Sequence, residues 1–189
     1  MIDVDKGFSL TELLVVIGIA GVITGMAVPA FGQMIQRNHI KSAALSLQAD
    51  LQLARTLAIK QSQNILVSRT TGNAGAWCYG LAVKTSAKTR CDCNQSTTDV
   101  ADDCEIKSTL GASYSGVDML TATVNNNSFD FRRGTISANG VTFATDDYAA
   151  RVVFSDAGRV RLCTPPVEGT GSTNRPVGTI GLPAIPDCP

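Results

Sequence analysis

The run Gly158-Arg159-Val160-Arg161 is the segment of this chain most suggestive of chemistry. On a β-strand, Arg159 and Arg161 point to one face while Val160 points to the other. Two residues along a strand span about 6.6 Å, similar to the roughly 6–7 Å between successive phosphates of a nucleic-acid strand. A guanidinium fork donates two hydrogen bonds to a phosphate, so the pair reads as a phosphate-binding element. Arg151, Arg132, Arg133 and Arg175 could extend the patch. The residues also admit a plainer reading, a solvated strand face neutralised by Asp130 and Asp156.

Glu12 is a second candidate, at the lip of the uncharged run Leu13–Phe31. A carboxylate at membrane depth is costly and is usually kept for a partner, although one at the edge can also reach the headgroups. Six cysteines, Cys78, Cys91, Cys93, Cys104, Cys163 and Cys188, all follow that run. An even number on one side of an apolar segment implies disulfides and an oxidising compartment. Cys163 with Cys188 would close a C-terminal loop, and the other four would form two bridges whose pairing is open. Zinc is the rival, but Cys91-x-Cys93 lacks the usual gap and no histidine lies nearby, so no metal is expected. His39 is the single histidine and lies in a helical stretch, which excludes a Ser-His-Asp or Cys-His arrangement beyond it. There is no glycine-rich phosphate loop, and Asp102-Asp103 and Asp146-Asp147 sit in turn-like contexts. Neither an enzyme nor a cofactor is expected.

The elements that position these residues follow from hydrophobic patterning. The chain has 189 residues and a formal net charge of +0, so any affinity for nucleic acid must come from a local patch. As a helix, Leu13–Phe31 spans about 28 Å, close to the thickness of a bilayer's hydrocarbon core. A cleaved secretory signal would need a basic start and a processing site after the apolar core, whereas this chain starts Met-Ile-Asp-Val-Asp-Lys and runs on into more helix. Gly18, Gly21, Gly25 and Pro29 interrupt the run; small residues favour close helix packing, and Pro29 should loosen the helix. After Arg37, Ile40, Ala44, Leu47, Leu51, Ala54 and Ala58 form an apolar stripe, widened by Leu45, Leu53 and Leu57. Strands are expected at Ile65–Arg69, Trp77–Lys84, Val117–Val124, Ser128–Arg133, Val141–Thr145, Arg151–Ser155 and Arg159–Cys163, with turns at Asn139-Gly140 and Asp156-Ala157-Gly158. Residues 85–108 read as a stapled loop, and the proline-rich residues 165–189 as an extended tail.

The stretch Gly7-Phe8-Ser9-Leu10-Thr11-Glu12-Leu13-Leu14-Val15-Val16 resembles the class III signal of type IV pilins and type II secretion pseudopilins. The resemblance implies cleavage between Gly7 and Phe8, methylation of Phe8, and pairing of Glu12 with the N-terminal amine of a neighbouring subunit. The run Leu51-Gln-Leu-Ala-Arg-Thr-Leu-Ala-Ile resembles the FimT/GspH branch in particular. Gly158-Arg159-x-Arg161 is similar to the Gly-Arg-x-Arg motif of FimT-type minor pilins that bind DNA in natural transformation. These likenesses imply an α+β, pilin-like fold: a leader at 1–7, a transmembrane helix at 8–31, an amphipathic helix at 32–62, and a β-rich head at 63–189 on an antiparallel sheet. The implied partners are other pilin or pseudopilin subunits, the prepilin peptidase, the bacterial inner membrane and double-stranded DNA. The implied place is a single-pass inner-membrane protein with a periplasmic head, later at the pilus or cell surface. The alternative is a GspH-like pseudopilin of type II secretion, or an assembly-priming minor pilin without DNA binding.

Overall fold

The computed structural model describes residues 9–94, 102–120, 126–166, 176 and 178–188. One long helix, α1 (Leu10–Gln61), opens the fold. It contributes to two compact units that divide after Ile35. In the first unit, the apolar side chains of Leu13–Ile23 face outward on every side, with Val22 and Ile23 61% and 63% exposed. An 18-residue window here has a mean hydropathy of 2.3 and no buried residue, so the helix is long and apolar enough to cross a membrane.

In the second unit, Ile40, Ala44, Leu47, Leu51, Ala54 and Ala58, joined by Ala43, are fully buried in one core. Their alternating steps of four and three residues keep them on a single face of α1. Leu45 and Leu53 do not widen this stripe: they lie off that face and are 43% and 42% exposed. Leu57 is partly buried.

Among the described residues, nine strands follow in two sheets. The first sheet has the order β3 (Lys107–Leu110), β2 (Cys78–Val83), β1 (Ile65–Thr70), β5 (Asn126–Phe129), all neighbours antiparallel. The second has the order β4 (Asp118–Leu120), β6 (Asn139–Ala144), β7 (Tyr148–Phe154), β8 (Val160–Cys163), and β9 (Ile180–Gly181) runs parallel to β7. A bridge between Gly72 and Met119 links the β1–β2 loop to β4. Val67, Leu81 and Phe129 from the first sheet meet Val141, Phe143 and Val152 from the second in the same core as the α1 stripe.

One polar contact ties the helix to the first sheet. Asp50, 4% exposed, accepts hydrogen bonds from Tyr79 Oη at 2.8 Å and from Lys107 Nζ at 2.6 Å. Burial pushes the Tyr79 phenol well above its usual value, so it stays a donor.

The cysteines pair as Cys78–Cys93, Cys91–Cys104 and Cys163–Cys188. The first two cover the outer face of the first sheet, forming a small second core with Leu66 and Ala82. The stapled loop ends earlier than its polar sequence suggests, because Lys107–Leu110 pairs with β2. Residues 130–133 turn instead of continuing the strand: Asp130 Oδ1 accepts the backbone N–H groups of Arg132 and Arg133 at 2.9 and 3.1 Å. Asn139-Gly140 is strand, not turn; a Cβ at Gly140 would lie 2.6 Å from Arg151 Nε, so the glycine gives the Arg151 guanidinium room to lie over the strand. The strand expected at 117–124 is β4 over Asp118–Leu120, with 121–125 outside the described residues.

Candidate nucleic-acid interface

Strands β7 and β8 are joined by Asp156-Ala157-Gly158. Gly158 N–H donates to Ser155 O at 2.8 Å, and Ser155 N–H donates to Arg159 O at 3.0 Å. Gly158 has φ +72°, the left-handed conformation that closes a three-residue hairpin. The site also has no room for a side chain, since a Cβ there would stand 2.2 Å from the Gly134 carbonyl oxygen. The hairpin sets the phase of β8. Val160 and Leu162 pack on the core, and Arg159 and Arg161 are exposed.

Arg161 pairs with Val153 across the ladder. Arg159 and Arg161 flank an open groove of about 480 Å³ whose other lining residues are Val153, Phe154, Ser155 and Ala157. The ion pairs among the described residues are Lys88–Glu105 and Lys107–Asp50, so neither arginine is in one. The acidic neighbours engage main chain instead: Asp130 holds its own turn, and Asp156 Oδ1 accepts the Ala138 N–H at 2.6 Å. Both guanidinium groups are therefore exposed without a direct carboxylate contact among the described residues.

The structure places Arg151 differently from the expected extension of this patch. It is 9% exposed, with Nη1 3.3 Å from the Thr142 hydroxyl that accepts from it and its guanidinium over Gly140. The register sets Arg151 opposite Cys163, where the sheet continues past it, so the side chain lies down on β6 and burial lowers its pKa. Arg132 and Arg133 are exposed on the turn that ends at Gly134, and Arg175 lies outside the described residues. Sequence reasoning missed Arg55, which packs from α1 against both Gly134 and Gly158. It also missed Arg69, which is 3% exposed and lies over the Phe154 ring at 5.3 Å. Burial brings Arg69 down to about 10, and its Nη2 donates to Asn127 Oδ1. The signal for Arg69 was its place in the series Ile65, Val67, Arg69, the core-facing phase of β1.

At the other end of the chain, Gly7 and Phe8 lie outside the described residues, and Glu12 is exposed in the first turn of α1. The six cysteines, all in disulfides, offer no thiolate ligands.

Residues 43–158 match the family model described as type II transport protein GspH, and residues 4–28 match the prokaryotic N-terminal methylation motif. Among solved structures the chain is similar to the type IV minor pilin FimU of Pseudomonas aeruginosa strain PAO1. That likeness has 21% identity and a TM-score of 0.50, and covers 67% of this chain and 89% of that one. It is also similar to the minor pseudopilin EpsH from the type 2 secretion system of Vibrio cholerae, at 14% identity and a TM-score of 0.44, covering 67% and 97%. At these identities the FimU likeness establishes a shared fold.

Proposed function

This chain belongs to the GspH family and is a minor pilin or pseudopilin of a type IV pilus or type II secretion system, and we propose that it is a FimT-type minor type IV pilin whose Arg159–Arg161 face binds the backbone of double-stranded DNA. The observation that carries this reading is the exposed arginine pair at the start of β8, Arg159 closing the hairpin and Arg161 on the strand, without a salt-bridge partner among the described residues. With a formal net charge of +0, the whole protein is not a polycation, and binding must be local. Phe154, the aromatic residue lining the groove, is buried with its ring under Arg69 and offers bases no platform, so binding is sequence-independent and falls with salt.

The rest of the reading concerns assembly. Prepilin peptidase cuts between Gly7 and Phe8, leaving 182 of the 189 residues, and Phe8 is methylated. Glu12 then pairs with the free amine of a neighbouring pilin subunit, which makes a carboxylate tolerable at membrane depth. The helix anchors the chain in the bacterial inner membrane. The head, held by three disulfides, matures in the oxidising periplasm and is later displayed on the pilus.

A gel-shift titration of the full chain in detergent, with a duplex of arbitrary sequence, tests the DNA reading. The unaltered chain should shift DNA at low salt and lose affinity as salt rises, and Arg159→Ala/Arg161→Ala should abolish the shift. No shift at low salt overturns it. The family description, type II transport protein, favours a second reading: a pseudopilin or assembly-priming subunit with no nucleic-acid role. The same titration separates the two.

A further inference from the structure

The turn ending in Gly134 and the hairpin containing Gly158 are distant in sequence but built as one unit. Asp156 ties the hairpin to the segment that follows this turn: its Oδ1 accepts the Ala138 N–H at 2.6 Å, and its main-chain carbonyl accepts the Ile136 N–H at 3.3 Å. Gly134 (φ +61°) and Gly158 (φ +72°) are both left-handed, and each lies against the Arg55 side chain; an added Cβ at either would stand 3.0 Å from Arg55 Nε. The Gly134 carbonyl fills the space where a Gly158 side chain would be. Arg133 immediately precedes the first glycine, and Arg159 immediately follows the second. Arg132 is steadied over the Phe131 ring at 5.4 Å.

We propose that Asp156 is a positioning residue that holds two arginine-bearing segments in one phosphate-binding surface, Arg132 and Arg133 on one turn, and on the other segment Arg159 at the end of the hairpin with Arg161 on β8 just beyond it. The proposal rests on the DNA reading above and deepens it. It names four phosphate contacts where the motif supplies two, and it assigns an acidic residue a role in binding an acidic ligand.

That role reverses the sign expected from charge alone. A carboxylate beside an arginine patch repels phosphate, so electrostatics by itself makes removal of Asp156 strengthen binding. As a positioning residue, the Asp156 side chain acts through its bond to the Ala138 N–H; the Ile136 bond to the main-chain carbonyl persists in any variant, so loss of the carboxylate loosens the union of the two turns. Asparagine keeps an oxygen that accepts the Ala138 N–H, whereas alanine does not.

The test uses the full chain in detergent and a duplex of about 30 base pairs, titrated at several salt concentrations. Asp156→Ala should bind about fivefold more weakly than the unaltered chain. Asp156→Asn should bind at least as tightly as the unaltered chain. Arg132→Ala/Arg133→Ala, on an exposed turn, should leave the melting temperature unchanged and lower the salt slope by about 1.8, two phosphates' worth. The double variant keeps the question open to refutation even if Asp156→Ala fails to fold. Tighter binding by Asp156→Ala, or an unchanged slope in the double variant, overturns the proposal. If that happens while Arg159→Ala/Arg161→Ala still abolishes binding, only the two-turn surface fails. If the unaltered chain does not bind, the DNA reading itself fails and this proposal falls with it.

Discussion

The two sheets turn their inner faces to the same core but treat their outer faces in opposite ways. On the first sheet, Leu66, Cys78 and Ala82 are covered by a loop pinned through Cys78–Cys93 and Cys91–Cys104, which makes a second small core. Ser68 Oγ and Ser108 Oγ bind that loop's backbone at Cys91 and Cys93. On the second sheet, Arg151 lies flat over Gly140, but the end carrying Val153, Arg159 and Arg161 stays open as a groove. One outer face is covered and stapled, and the other is open to solvent. Mutations on the two should therefore fail in different assays.

The largest expected effect is on the covered face. Replacing Cys91 and Cys104 by serine should destabilise the head by about 2–4 kcal/mol, read as a drop in Tm of the full chain in detergent. A much smaller loss would mean that the cover packs well without its staple. Next is Gly158→Ala, which forces a side chain into left-handed backbone and against the Gly134 carbonyl. It should cost about 1–3 kcal/mol in thermal melts and also weaken DNA binding, since it disturbs the phase of β8. Arg159→Ala/Arg161→Ala should change stability by no more than about 0.5 kcal/mol while removing DNA binding; an equal loss of stability would make the open face structural after all. The smallest effect concerns Glu105 on the covered side, which accepts from the Val83 N–H at 2.8 Å and from Lys88 Nζ at 2.9 Å. Burial pushes this carboxyl up, but those hydrogen bonds outweigh it and hold it below its usual range. Its folded pKa is depressed, so its contribution is present above the ordinary carboxylate pKa and is lost as pH falls through the lower folded value. Because the side chain is 43% exposed, acid melts of Glu105→Gln should differ from the unaltered chain by only a few tenths of a kcal/mol.

What could be read from the sequence was what depends on local spacing. The α1 stripe repeats every three or four residues, and each member that defined it is buried. The hairpin at Asp156-Ala157-Gly158 was visible because its glycine sits between two alternating runs. Residues 130–133 misled because Asp130 alternates properly with its neighbours, while its side chain folds back on the next two N–H groups. Asn139-Gly140 misled in the opposite direction, since the reason for its glycine is Arg151 on the next strand. Arg151 itself looked equivalent to Arg159 and Arg161. Only the register shows that it has β6 on one side and β8 on the other, whereas Arg161 stands on a strand at the end of the sheet's main path. The union of two arginine turns through Asp156 lay beyond reach, because it joins segments with no shared period.

Asp50 has a mechanical consequence. A helix resting in a purely oily channel can slip by one turn, about 5.4 Å, and still find apolar contact. Slippage of α1 would strand the buried Asp50 side chain away from Tyr79 and Lys107, leaving a buried acceptor without its donors at a cost of about 1–3 kcal/mol. This latch thus fixes the register of the Asp50 turn of α1 against β2 and β3 within the head.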